Sequence, residues 1–339
     1  MEDNTHAEQQ FEYVDETTKN EGVESSPRPA ESAESEKAVK EAEKRKKLMA
    51  KKRFKDRYDG RYLRSIEPLI KLTPFIMKDR CDAMVSFFDS IDVTQADKYC
   101  RQKVRDGKTY FTILHLILAA YVRTVSQHPE VNRFVSGRRI YARRTIEVNA
   151  IVKKVMSRDG EESGIKVWFD PTDTADEVYE KFNQKVREVV DNPDEANGTE
   201  SLNKALLHMP RFLLSLAIKF LNWLDYHGWI PKSAIRVSPF HGSMIITSMG
   251  SLGIPPVYHH IYNFGNLPVF IAFGVKQTIP TINKDGETVP KKIVELKIVV
   301  DERICGGYQY ASAFKTLKRY LEHPDLLDTK PESVREDIY

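Results

Sequence analysis

Cysteine is scarce in this chain of 339 residues, which has Cys81, Cys100 and Cys305 as its only three. They lie far apart in the sequence and form no C-x-x-C pair, which excludes a disulfide framework and a cysteine-based zinc motif. The sequence therefore predicts a reduced, cytoplasmic protein without a metal site.

The chain also lacks an apolar run that would span a bilayer, and its acidic N-terminus, MEDNTHAEQQ, has no apolar core of a secretory signal. Its most apolar segment is residues 205–230, which is too short between Pro210 and Gly228 to cross a membrane comfortably. Polar residues recur three or four apart along this segment and predict a helix with one narrow polar stripe. They are Arg211, Ser215, Lys219 and Asn222.

Two interpretations of this apolar helix remain open. We expect it to pack on a sheet or on a neighbouring subunit. Alternatively it forms an interfacial membrane anchor or a partner-binding face, because Trp223, Trp229 and two cations suit a headgroup boundary.

A net charge of +3 predicts no specific binding of nucleic acid, but the charge is unevenly distributed. Residues 1–36 hold eleven Asp or Glu against two cations, and their Glu, Ser, Pro and Asn content predicts disorder. Residues 37–57 hold eleven Lys or Arg against three acids, and they predict a solvated basic helix. This helix is either a tether or a contact for acidic lipid, RNA or the acidic tail. We expect a charged segment 1–58, a folded part 59–328 and a C-terminal tail 329–339.

Apolar periodicity predicts the elements of an α/β protein. The stretch around residues 82–94 alternates as a strand does, TYFTILHLILAAYVRTVSQHP has helical spacing, and residues 138–155 and 163–172 predict successive strands before the amphipathic helix TADEVYEKFNQKVREVVDN. This order favours an α/β two-layer sandwich with a mixed β-sheet and helices.

The last predicted strand runs into a helix at DERICGG, residues 301–307, after a hairpin marked by Asp285-Gly286. The following helix ends in LKRYLEHP, an earlier loop reads TSMGSLG from Thr247 to Gly253, and the first long helix ends in HPEVN. A strand-to-helix junction is a common place for chemistry in α/β folds.

With these motifs the chain, from about Tyr58 to Pro324, resembles the catalytic domain of the acyltransferase components of 2-oxo acid dehydrogenase complexes. That family has the fold of chloramphenicol acetyltransferase and carries D-H-x-x-x-D-G at the junction, L-K-x-x-L-E-x-P at the end of the last helix and S-N-L-G in the earlier loop. The resemblance implies the same fold and a homotrimer with active sites between subunits.

Two signature residues depart from the family pattern. Glu302 stands where the family has its catalytic His, and Gly306 where it has the Asp that orders the site, whereas Asp301, Arg303 and Gly307 match and are interpreted as scaffold. A glutamate has an ordinary pKa about four units below that of a thiol. Glu302 is therefore a weak base toward an acceptor thiol unless burial raises its proton affinity.

Other candidates surround this signature. The resemblance gives Thr247 the place of the hydroxyl that donates to the tetrahedral oxyanion, with Ser248 as the adjacent alternative. His259 and His260 are alternative bases, but neighbours on an extended strand point to opposite faces and do not clamp one metal. Cys305 is interpreted as a small buried residue or, as the alternative, an acyl-accepting thiolate.

Two functions are therefore open from the sequence. The first is acyl transfer from coenzyme A, a cosubstrate that is not covalently bound, to an unidentified acceptor, with Glu302 and Thr247 as catalytic residues. The second is an inactive trimeric scaffold that binds acyl-CoA or an acyl carrier. Membrane-surface contact through the basic or the apolar helix would accompany either. Residues 1–58 show no lipoyl-domain motif, so a free-standing protein is expected.

Overall fold

The computed structural model describes residues 53–154, 162–192, 200–201 and 206–338. The chain divides into Met1–Lys51 and Lys52–Tyr339, and the described residues lie in the second unit. The predicted acidic tail and all but the last residues of the basic segment thus lie outside the described residues.

Ten strands form two sheets in the described residues. The strands are β1 (Gly60–Tyr62), β2 (Met84–Asp92), β3 (Arg133–Ser136), β4 (Arg139–Arg143), β5 (Ile146–Lys153), β6 (Glu162–Phe169), β7 (Met244–Ser248), β8 (Val269–Phe273), β9 (Gln277–Ile282) and β10 (Thr288–Asp301). The helices are α1 (Pro68–Ile76), α2 (Thr94–Arg105), α3 (Ile113–Gln127), α4 (Ala175–Val190), α5 (Arg211–His227), α6 (Lys232–Val237) and α7 (Gly307–Glu322).

The main sheet is mixed, as predicted. Its strand order is β2-β10-β8-β7-β5-β6, and β9 pairs with the first half of β10. The contacts of β7 with β5 and β8 are parallel, and the other pairs are antiparallel. The predicted hairpin is confirmed between β9 and β10, where Gly286 has a positive φ of 81°.

Alternation along β10 separates the two faces of this sheet. Leu296 and Ile298 are buried in the main core beneath the helices, whereas Val299 belongs to a second, smaller core with Ile245 and Phe270. Helices α3, α4 and α7 pack together on the first face, and the predicted two-layer sandwich is confirmed. The second face is covered in part by the loop that precedes β8, and we refer to it as the open face.

The C-terminal residues 329–338 lie against the folded part. Arg133 donates from Nε and Nη2 to the carboxylate of Asp337, and Ser126 accepts a hydrogen bond from the backbone of Arg335. None of the helices in the described ranges has the length and apolar character to cross a bilayer.

Candidate functional site

Buried ion pairs fix the junction between β10 and α7. Asp301 accepts hydrogen bonds from Nε and Nη2 of Arg303 at 2.8 and 2.7 Å, and Nε of Arg80 lies 3.4 Å from the same carboxylate. Arg303 also donates to the carbonyl oxygens of Met77 and Lys78, which follow α1. Asp301 and Arg303 therefore form a frame that joins the strand end to the α1 region.

Glu302 points away from this frame. Its backbone N–H donates to the carbonyl of Ala83 at 3.0 Å, while its side chain is exposed. Among the described residues its carboxylate has no hydrogen-bond or ion-pair partner. The structure thus holds the backbone of Glu302 but not its carboxylate.

Gly306 is the N-cap residue of α7, in an extended conformation with φ of −74° and ψ of 163°. Its N–H donates to Oε1 of Gln309 at 2.9 Å. A Cβ atom placed on Gly306 would meet no described atom within 4 Å. The position of the family's ordering aspartate is therefore sterically open.

A largely apolar cleft of about 730 Å³ opens beside Glu302. Its walls come from α1, β2, the end of β10 and the start of α7. The lining residues are Leu69, Ile70, Thr73, Met77, Val85, Phe87, Val300, Glu302, Cys305, Gly306, Gly307, Tyr310, Ala311 and Phe314. This volume is in the range of small-molecule binding pockets.

Three of these lining residues are ionisable. Burial raises the pKa of the Cys305 thiol to about 12, and burial also raises the pKa of Tyr310 well above its usual value. The Tyr310 hydroxyl donates to the carbonyl of Asp301 at 2.7 Å. Cys305 and Tyr310 are consequently protonated at neutral pH, and Glu302 is the third ionisable residue of the lining.

Thr247 lies elsewhere on the sheet. Ile246 faces the helices, so Thr247 next to it faces the open side. Thr247 pairs with Ala272 and Ala272 with Lys297, five residues before Glu302 on the second strand across. At roughly 3.4 Å per residue and about 4.8 Å between strands, the Cα atoms of Thr247 and Glu302 are about 20 Å apart. One chain does not bring these two residues together.

Ser248, His259 and His260 each have a defined neighbour in the structure. Ser248 accepts a hydrogen bond from the N–H of Ser251 at 3.3 Å, at the start of a short 3₁₀ turn. His259 stacks on Phe270 with a ring separation of 4.3 Å, so it shares the open face with Thr247. Burial and the neighbouring His260 lower the pKa of His259, and its Nε2 has no partner among the described atoms.

His260 is exposed, and its ring meets that of Tyr262 edge-on at 5.2 Å. The two histidine rings thus contact different neighbours. Across the described part of the chain, no group of three or more His, Cys, Asp or Glu side chains is placed to hold a metal ion.

A second cluster of polar side chains in the structure was not predicted from the sequence. Oγ of Ser238 lies 2.8 Å from Nδ1 of His241, whose Nε2 lies 3.5 Å from Asp225, and Arg57 pairs with the same aspartate at 2.8 Å. The S-P-F-H spacing was the available signal. Ser238, His241 and Asp225 are all buried, and burial lowers the pKa of His241, so this group is a polar part of the interior without access for a substrate.

The structure thus has a mixed sheet with helices on one face, and the frame of Asp301 and Arg303 lies beside an apolar cleft. Residues 233–328 match the family described as 2-oxoacid dehydrogenases acyltransferase (catalytic domain). Over these residues the match confirms the resemblance predicted from the sequence motifs, and the mixed α/β fold is as predicted. No curated protein matches the chain.

Several solved structures are similar to the chain. A probable dihydrolipoamide acetyltransferase from Listeria monocytogenes 4b F2365 is 12% identical, with a TM-score of 0.49 over 78% of this chain and 95% of that one. The dihydrolipoamide acetyltransferase of Azotobacter vinelandii is 16% identical, with a TM-score of 0.45 over 76% and 88% of the two chains. A chloramphenicol acetyltransferase is 12% identical, with a TM-score of 0.43 over 70% and 88%.

Proposed function

We propose that this protein transfers an acyl group from a coenzyme A thioester to a nucleophilic acceptor, and that the acyl group occupies the cleft beside Glu302. The observation that carries the proposal is the cleft itself, about 730 Å³ of mainly apolar lining next to the residue that replaces the family's base. An apolar acyl chain gains free energy by leaving water for such a surface.

The absence of cations in the cleft lining supports an orientation of the donor in which its acyl group, and not its nucleotide, enters the cleft. No Lys or Arg is among the residues that line the cleft. Phosphate groups are bound in proteins chiefly by cations and backbone N–H groups. The nucleotide of coenzyme A would therefore remain outside the cleft, and only its acyl and thioester end would enter.

In the proposed reaction Glu302 accepts the proton of the acceptor's hydroxyl or thiol while the new bond to the thioester carbon forms. The carbon–sulfur bond then breaks, and Glu302 returns the proton to the leaving thiolate of coenzyme A. A hydroxyl at Thr247 would donate to the oxyanion between these steps. Loss of a general base commonly costs about 100- to 10,000-fold in rate, and an oxyanion donor about 100- to 1,000-fold.

The two proposed catalytic residues require two chains. Thr247 lies on the open face and Glu302 at the cleft on the helix side, about 20 Å away by strand spacing. We propose a homotrimer in which the open face of one subunit meets the cleft of the next. A cyclic arrangement of this kind repeats the same composite site at each interface.

The test begins with release of free coenzyme A from a panel of acyl thioesters and acceptors. We expect Glu302→Gln and Thr247→Val each to lower kcat/KM at least 100-fold. His259→Ala is the matched control on the open face and should leave the rate unchanged. If His259→Ala abolishes turnover while Glu302→Gln does not, His259 is the base and the assignment of Glu302 fails.

Subunit mixing tests the composite site directly. Glu302→Gln and Thr247→Val chains, each inactive alone, are unfolded together, refolded and assayed. In randomly mixed trimers roughly a quarter of the interfaces pair an intact Thr247 with an intact Glu302, so roughly a quarter of the activity should return. Recovery of no activity would contradict a site shared between chains.

A second function, binding without turnover, is favoured by one observation. The carboxylate of Glu302 has no orienting partner among the described residues, and Gly306 supplies no side chain to position it. Titration calorimetry with coenzyme A and with acyl-CoA separates the two functions. Binding without thioester cleavage, unchanged by Glu302→Gln, would establish an acyl-thioester scaffold in place of an enzyme.

A further inference from the structure

Helix α5 carries an apolar face that points outward. Along α5, Asp225 is buried, four Leu or Ile side chains are half-buried, and six large apolar or aromatic side chains are exposed. At 100° per residue, five of them fall within an arc of about 100°. They are Phe212, Leu213, Leu216, Phe220 and Trp223. We call this arc the α5 face.

Aromatic rings extend the α5 face past the end of the helix. Phe220 stacks on Trp223 at 5.9 Å, and Trp223 meets Trp229 edge-on at 5.4 Å. The chain turns between them at Gly228, which has a positive φ of 74°. Trp229 is 62% exposed, so the aromatic surface continues into solvent.

The exposed charged residues of the segment that contains α5 have one sign. Residues 206–238 contain four Lys or Arg, and all four are exposed. They are Arg211, Lys219, Lys232 and Arg236. Asp225 is the acid in the same range, and it is buried in an ion pair with Arg57. An apolar strip flanked by exposed cations complements a surface that is apolar beneath and anionic above.

We propose that α5 is an interfacial helix, which holds the protein on the surface of a bilayer that contains anionic lipid. With 17 residues, α5 is about 26 Å long and shorter than a hydrocarbon core of about 30 Å, so it lies in the interface plane. Trp and Phe rings enter the boundary between headgroups and acyl chains, and the cations contact lipid phosphates. Symmetric pairing of two α5 faces would instead oppose like charges.

This proposal is independent of acyl transfer, and α5 precedes the segment that matches the acyltransferase family. The full chain is floated with vesicles of phosphatidylcholine alone and of a two-to-one mixture of phosphatidylcholine and phosphatidylglycerol. We expect binding to the mixed vesicles that weakens with salt, and a blue shift in tryptophan fluorescence.

Two α5 variants separate the apolar and charged contributions. Phe220→Ser with Trp223→Ser should lower vesicle partitioning at least tenfold. Arg211→Gln with Lys219→Gln should lower it roughly thirtyfold on the anionic vesicles and little on phosphatidylcholine. The control, Tyr110→Ser with Ile282→Ser, removes two large side chains outside α5 that are more exposed than Phe220 and Trp223, and it should bind as the wild type does.

Three outcomes would overturn the proposal. In the first, the wild-type chain binds neither kind of vesicle. In the second, binding persists in both α5 variants and therefore resides outside the α5 face. In the third, Phe220→Ser with Trp223→Ser changes the oligomeric state in analytical ultracentrifugation without changing vesicle binding, which would make a second copy of the chain the partner of the α5 face.

Discussion

Replacement of Gly306 by aspartate should stabilise the protein, although it restores a residue of the family's active site. Gly306 is the N-cap of α7, its backbone is in the extended conformation of an N-cap, and a Cβ atom there meets no described atom within 4 Å. Gln309 already accepts the N–H of Gly306, so an introduced aspartate side chain that accepts from the first turn would complete a reciprocal capping arrangement.

Three small contributions to the free energy of unfolding add up in the Gly306→Asp variant. An aspartate cap exceeds a glycine cap by a few tenths of a kcal/mol, and loss of glycine's freedom in the unfolded chain contributes about 0.4–1 kcal/mol. A negative charge at a helix N-terminus adds about 0.3–1 kcal/mol, less some repulsion from Glu302. We expect a net gain of about 1 kcal/mol in the free energy of unfolding, or about 2–4 °C in Tm.

Urea denaturation followed by circular dichroism measures this gain, with two controls at the same position. Gly306→Asn keeps the cap without the charge and should give about half the effect. Gly306→Ala restricts the unfolded chain but is a poor cap, so it should change stability little. If Gly306→Asp is no more stable than Gly306→Ala, the N-cap geometry assigned to Gly306 is wrong.

Three further predictions concern the interior. Burial lowers the pKa of His115 to about 4, so the unfolded chain binds a proton between pH 6.5 and 4 that the folded chain does not, and stability should fall by about 3 kcal/mol as the pH drops through that window. His115→Gln, which keeps an acceptor for the Thr112 N–H, should remove this step from urea midpoints measured at pH 7 and 4.5. Asp301→Asn weakens the pairing of two buried arginines and should cost about 3–5 kcal/mol in the same assay, whereas Glu302→Gln, on an exposed side chain, should cost less than about 0.5 kcal/mol. Cys305 should resist iodoacetamide at pH 8 in the folded protein, because burial raises its pKa to about 12, and mass spectrometry should show the partly exposed Cys81 labelled first.

Secondary-structure elements with a strong periodicity of apolar residues were predictable from the sequence. Helix α3 and strand β2 match their apolar patterns, and the Asp285-Gly286 turn marks the hairpin before β10. Helix α1 was not predicted, because Pro68 begins it and Pro74 lies inside it, and proline ordinarily opposes a helix interior. The separate small sheet of β1, β4 and β3 was also missed, since strands of three to five residues carry almost no period.

The candidate site was likewise predictable from the sequence only in part. The motif at residues 301–307 located the junction, but it gave no information on the cleft, whose walls are distant in sequence and meet only in the fold. For α5, the helical pattern was sufficient to predict the helix and its polar stripe. It did not distinguish an apolar face that packs on the sheet from one that points outward, because both have the same period.

Within DERICGG the structure separates residues that stabilise the fold from residues that only face the cleft. Asp301 and Arg303 are buried partners of each other, so replacement of either leaves an uncompensated charge in the interior. Glu302 has an exposed side chain, and Gly306 has open space around its Cβ position, so neither residue is required by packing. Selection for stability alone would therefore retain the frame while leaving positions 302 and 306 free to change. The segment lies within the residues that match the acyltransferase family. In the function proposed above, its chemistry depends on what the exposed carboxylate of Glu302 meets across the proposed subunit interface.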